Sequence, residues 1–220
     1  MNETLEIIQS EFARASMETF QMVLISMIAA SVIGTCMGLL LHLTSNPLFF
    51  KNRMINGIAG TIVNIIRSMP FIILIIALIP FTRMIVGTAI GAVAASVSLS
   101  IASIAFFARL VEGAFSEVDK GVIEAAVATG ASTSLIIRKV LFVEATPALI
   151  RALTVTFVSI IGYSAMAGAV GGGGIGNLAI MYGYNRYQTG VLLFTVIVLI
   201  IIVQLGQWIG DKIALAFTRK

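Results

Sequence analysis

Between Glu18 and Lys51 the chain carries no Asp, Glu, Lys or Arg. A stretch of that length is suited to the inside of a bilayer, where a helix of about 20 mainly apolar residues satisfies every backbone amide without water. The pattern recurs. Roughly Phe20 to Leu43, Ile55 to Phe81, Ile85 to Phe107, Ala148 to Ala169 and Gly190 to Ile209 all qualify. They predict an all-α membrane protein with five transmembrane helices, one domain over residues 1–220. Charged residues make up 11% of the chain, against about 25% in soluble domains.

Only Thr82-Arg83-Met84 separates the second span from the third, which predicts an antiparallel hairpin. The second span is interrupted by Asn64, Arg67 and Pro70. Either Arg67 lies near mid-membrane, where a charge costs several kcal/mol and marks function, or Ile55 to Ile66 forms an amphipathic cytoplasmic extension with Arg67 at the membrane edge. Glu3, Glu6, Glu11 and Glu18 face a single Arg14 in the first eighteen residues. That is the reverse of a secretory n-region, so this segment is expected to belong to the mature chain. Cys36 is the only cysteine and excludes a disulfide framework.

Basic residues fix an orientation. Lys51, Arg53, Arg109, Lys120, Arg138, Lys139, Lys212, Arg219 and Lys220 fall on one side, and Arg14, Arg83 and Arg186 on the other. By the positive-inside rule the N-terminus is outside and the C-terminus cytoplasmic, which also accounts for the net charge of +4 without invoking nucleic acid. Tyr182, Tyr184 and Tyr187 then lie at the outer headgroup level. Gly34/Gly38, Gly87/Gly91 and Gly206/Gly210 each form a Gly-x-x-x-Gly pair, expected to let helices pack closely within the subunit or between subunits.

The longest loop, Ala108 to Pro147, holds five acids and four bases. Val122 to Thr129 favours a helix, and Gly130 follows where a helix end takes a left-handed residue. Ser132 or Ser134 can cap a second helix with Leu135, Ile136, Val140 and Leu141 on one face. The loop therefore predicts two short helices with a sharp corner, and Ala125, Ala126 and Ala128 leave the first one thin enough for a partner surface to approach its backbone.

Glu124-Ala125-Ala126, three free positions and Gly130 resemble the loop by which permeases of importer-type ABC transporters dock on a separate ATPase. The Leu-Pro that closes that pattern is missing, with Pro147 standing four residues past Val143. Arg67-Ser68-Met69-Pro70-Phe71, Gly162-Tyr163-Ser164-Ala165-Met166, the run from Gly171 to Gly176 and Tyr182-Gly183-Tyr184 extend the likeness, which is to the methionine-importer branch of the type I importers. It implies a homodimer in the bacterial inner membrane, two ATPase subunits and an extracytoplasmic substrate-binding protein or lipoprotein, with no cofactor. It assigns ATPase coupling to Glu124, Ala125, Ala126, Gly130 and Ala131. The solute implied is methionine, the alternative being another small amino acid or related solute. The residues themselves suggest a pathway or gate at Arg67 and Pro70 in the second span and at Tyr163, Ser164 and Met166 in the fourth, where Gly162, Ser164 and Gly168 predict a wide or kinked helix.

Other chemistries lack their residues. No phosphate-binding P-loop occurs, so ATP must be hydrolysed on another subunit. Gly171, Gly173 and Gly176 fit a dinucleotide fingerprint, but no Asp or Glu lies between Glu144 and Asp211 to take a ribose. The segment reads instead as an outer gate or docking surface, or as a structural turn. His42, the only histidine, sits beside the end of the first span and is expected as an interfacial side chain, not a metal ligand. A self-sufficient secondary transporter would call for an intramembrane acid, inverted repeats or broken helices, and a membrane enzyme for a cluster of acids, His or Ser with a base.

Overall fold

The computed structural model describes residues 2–218, with side chains from Thr4 onward. Arg219 and Lys220, counted above among the cytoplasmic bases, lie outside the described residues. Every regular element among those described is helical. Four helices are long and apolar enough to span a membrane, and a bent pair makes a fifth if taken as one span.

The first span is longer than its apolar stretch predicts. Helix α1 (Asn2–Ala29) passes through a widened π turn at Ala30–Gly34 into α2 (Thr35–Ser45). Acids end a hydropathy window but not a helix, and Glu, Leu and Ala are good helix formers. The widened turn lies where the helix meets α6 (Ala92–Ser116) at close range. A Cβ on Gly34 would come within 2.9 Å of Phe107, and one on Gly38 within 2.6 Å of the Ala108 carbonyl oxygen. This Gly-x-x-x-Gly pair is an intra-subunit contact, as is Gly206/Gly210, whose glycines meet Phe157 and Thr154 of α9 (Phe142–Gly168). Gly87 and Gly91 are different: both have positive φ and nothing within contact of an added Cβ, so they form a turn.

The second predicted span is not one helix. Helix α3 (Arg53–Ser68) ends at Met69 and α4 (Phe71–Ala77) departs at 108°. Pro70 supplies the break, since it disfavours helical geometry at Met69 and occupies the N-cap of α4 with φ −55°. Helix α5 (Ile79–Val86) follows, so the expected turn at 82–84 is helical and the chain reverses at Gly87–Gly91 instead. The third span accordingly starts at Ala92, not Ile85.

At the other end of α6 come α7 (Lys120–Ala128) and α8 (Thr133–Ile136), which runs through a widened turn at Ile137–Leu141 directly into α9. The second helix of the loop is thus not short: 36 residues, Thr133–Gly168, form one candidate span. Pro147 sits inside it and removes one helical hydrogen bond. Burial of Leu141 and Ala145 in one core carries the helix across that defect. A short α10 (Gly174–Leu178) and a π turn at Ala179–Tyr184 lead to α11 (Thr189–Thr218), which packs along α9.

His42 corrects another expectation. It is 3% exposed, packed between Phe49 and Phe115, with Nδ1 3.3 Å from Ser116 Oγ, so it is an inside side chain.

Candidate functional site

Three features stand out: a protruding elbow at one end of the bundle, a broken span in its middle and a glycine-rich turn at the opposite end. The elbow starts at Asp119, whose carboxylate accepts from the Gly121 N–H at 2.6 Å and caps α7. It ends in a Schellman arrangement. The Gly130 N–H donates to Val127 O at 3.0 Å and the Ala131 N–H to Ala126 O at 3.3 Å, with Gly130 at φ +77°. Ala126 and Ala131 both pack on the core beneath, the apolar contact that accompanies such a cap. No side-chain bond caps α8 at Ser132.

One face of α7 is anchored and the other is bare. Ile123 is 1% exposed, in a core with Val111 and Phe115 of α6, Ile136 of α8 and Ala145 of α9. Phe115 and Phe142 add an edge-to-face contact at 5.0 Å. Glu124, Ala125, Val127 and Ala128 are exposed, and Leu135 beyond the corner is half exposed. The buried side of α7 thus packs against the ends of both α6 and α9. Glu124 also borders a cavity of about 490 Å³ with Lys120 and His42.

At the broken span, Arg67 is in the last turn of α3, exposed, and Pro70 starts α4, also exposed. Tyr163 of α9 is half buried and stacks on Phe71 of α4, ring centroids 4.7 Å apart. Arg67, Met69, Phe71 and Tyr163 line one cavity of about 180 Å³ with Phe106 and Leu74. The other two α9 residues point elsewhere. Ser164 is 2% exposed and its hydroxyl donates to Ile161 O at 2.8 Å, which sets it in helix packing instead of that cavity. Met166 is 49% exposed and shares an outer face with Val155 and Gly162.

Two polar braces are not apparent from spacing. Arg109 of α6 donates to Asn64 Oδ1 at 2.9 Å and to Gly60 O at 3.5 Å on α3, while pairing with Glu112 on its own helix. At the far end Glu18 accepts from the Gly174 N–H at 2.7 Å and from Arg14 at 3.0 Å, and Thr19 Oγ1 accepts from the Ile175 N–H at 2.8 Å. Gly173 and Gly174, both at positive φ, have no room for a Cβ beside Glu18 and Thr19. The glycine run is therefore a close-packed turn held to the first helix. Among the described residues no three His, Cys, Asp or Glu side chains gather as metal ligands.

Residues 30–219 match the family described as binding-protein-dependent transport system inner membrane component. The chain belongs to that family. It is a multi-pass inner-membrane permease subunit, and its relatives are close along nearly the whole length. It is 46% identical over 199 residues to the probable D-methionine transport system permease protein MetI of Vibrio cholerae, covering 90% of this chain and 88% of that one. With the methionine import system permease protein MetP of Bacillus subtilis the identity is 51% over 174 residues, 79% and 78% of the two chains. A chain of the MetNI methionine ABC transporter in inward-facing conformation superposes with a TM-score of 0.92 at 43% identity, covering 96% of this permease and 97% of that chain.

Proposed function

We propose that this permease is the passage subunit of an ATP-driven methionine importer, in which two copies enclose one pathway and two separate ATPase subunits drive them. The observation that carries the reading is the elbow. Its exposed face at Glu124, Ala125, Val127 and Ala128 is left uncovered among the described residues, while its buried face is fused to the ends of α6 and α9. A nucleotide-driven movement of an ATPase against α7 would thus turn the spans. Glu124 and Ala125 make the contact, and Ala126, Gly130 and Ala131 hold the corner. The elbow end is cytoplasmic, with the N-terminus outside. An extracytoplasmic binding protein delivers the solute to the opposite end, and Tyr163, Arg67 and Pro70 border the pathway with Met166 on the face towards the second copy. The methionine assignment is supported by the relatives' names.

Co-expression with the cognate ATPase and binding protein, followed by uptake of labelled methionine into proteoliposomes, tests this. Glu124→Arg reverses charge on the exposed face and should lower ATP-driven uptake at least about tenfold, with membrane insertion and dimer unchanged by size-exclusion chromatography. Parental uptake in the variant would remove the elbow from coupling. The broken span is also a feature of secondary transporters. Uptake that persists without the ATPase and collapses with the proton or sodium gradient would establish that second reading in place of the first.

A further inference from the structure

The cavity at the break between α3 and α4 has a composition that selects a ligand. Its walls are apolar or aromatic, from Met69, Phe71, Leu74, Phe106 and Tyr163, and Arg67 is the one charged residue among them. The ion pairs among the described residues are Arg14–Glu18 and Arg109–Glu112, so the Arg67 guanidinium has no carboxylate of its own. A guanidinium stays charged at any physiological pH and presents a planar fork matched to a carboxylate. Binding clefts for drug-sized molecules run to about 300–1,000 Å³, whereas this one holds about 180 Å³. The space suits a solute of amino-acid size.

We infer that this cavity is a transient binding site for the transported solute, with Arg67 holding its α-carboxylate and Met69, Phe71 and Phe106 receiving its apolar side chain. The inference rests on the importer reading above and adds a recognition step within the membrane subunit. No acid lines the cavity to pair with the ammonium, so the hold is one-sided and weak, as release into the cytoplasm requires. The bend at Pro70 creates the site: a straight helix through residues 68–71 would carry Arg67 and Phe71 to successive turns of one rod, whereas the 108° break sets Phe71 against Tyr163 while leaving Arg67 at the rim.

The test uses the complex of this chain with its ATPase in nanodiscs, without binding protein, and measures equilibrium binding of labelled methionine. The parental complex should bind more methionine than Arg67→Gln, with affinity at that component about tenfold or more higher, the effect of losing one charged hydrogen-bonded contact. Arg67→Lys should recover part of the difference, and excess methioninamide, which lacks the carboxylate, should fail to displace the parental component. Equal binding by the parental and Arg67→Gln complexes overturns the site, as does displacement by methioninamide as effective as by methionine. A binding difference that appears only in nanodiscs containing anionic lipid would make Arg67 a headgroup contact and also overturns it. ATP-dependent uptake by the parental complex in proteoliposomes, measured separately, reports on the importer reading itself. Ile197→Phe, on the exposed face of α11, serves as the neutral comparison in both assays.

Discussion

At Gly130 the backbone φ of +77° places any Cβ too near the following carbonyl, at a cost of about 1–2 kcal/mol. The glycine has open space around it, so the penalty comes from the backbone and not from a clash with neighbours. Gly130→Val should therefore reshape the corner without disturbing the membrane core. ATP-driven uptake is expected to fall severalfold while the dimer still forms, and Gly130→Asn, which tolerates the left-handed region, should retain most activity. Equal uptake by the valine and parental proteins would show that the corner does not set the coupling geometry. Ser164 illustrates the limit of reading one residue at a time. It lies beside Tyr163 in sequence, yet helical geometry turns successive side chains about 100° apart, so Tyr163 borders the cavity and Ser164 is buried against its own helix.

The elements were legible in the sequence to the degree that local chemistry decides them. The corner at Gly130 and the close-packed glycine run could be read because left-handed backbone leaves a residue signature, and α7 because Val122 to Thr129 is rich in helix formers. The break at Met69–Pro70 was legible as an interruption but not as a bend of 108°, since proline in an apolar run kinks some helices and ends others. The fusion of α8 with α9 across Pro147 was hidden because tertiary burial of Leu141 and Ala145 overrides the local signal. The brace from Arg109 to α3 had no signal at all, as its partners Gly60 and Asn64 lie forty-nine and forty-five residues away. Arg109→Met keeps most of the apolar stem and removes the guanidinium, leaving Asn64 Oδ1 without that donor. A charged hydrogen bond contributes about 1.5–3 kcal/mol, and for a chain of this size each kcal/mol moves the midpoint by about 2–4 °C. The detergent-solubilised protein should thus aggregate at a temperature about 3–12 °C lower, read by size-exclusion chromatography after heating. An unchanged midpoint would mean that apolar packing alone fixes α3 on α6.

Across the whole molecule, the two ends of the bundle differ in charge as well as shape. Lys120, Glu124 and His42 border one cavity at the elbow end, where Arg109 also reaches across to α3. At the opposite end Glu11, Arg14 and Glu18 face the glycine turn and Tyr182, over whose ring Arg186 sits 4.6 Å away. Helix α11 connects these ends. It leaves the Tyr182 region at Thr189 and runs thirty residues to Thr218, a rise of about 45 Å, enough to cross the hydrocarbon core of about 30 Å with a turn or more to spare at each side. If the bent pair counts as one span the crossings number five, and the larger count of bases at the elbow end leads to the proposal that this face is cytoplasmic, which labelling tests. After replacement of Cys36, a single cysteine at the exposed position Glu6 should react with a membrane-impermeant maleimide in intact cells. One at Thr218 should react only after permeabilisation. Labelling of Thr218→Cys alone in intact cells would invert the permease and place the elbow outside, where no ATP-driven subunit could reach it. Labelling of both positions would mean an even number of crossings, and the bent pair α3–α4 would then enter and leave the membrane from the same side.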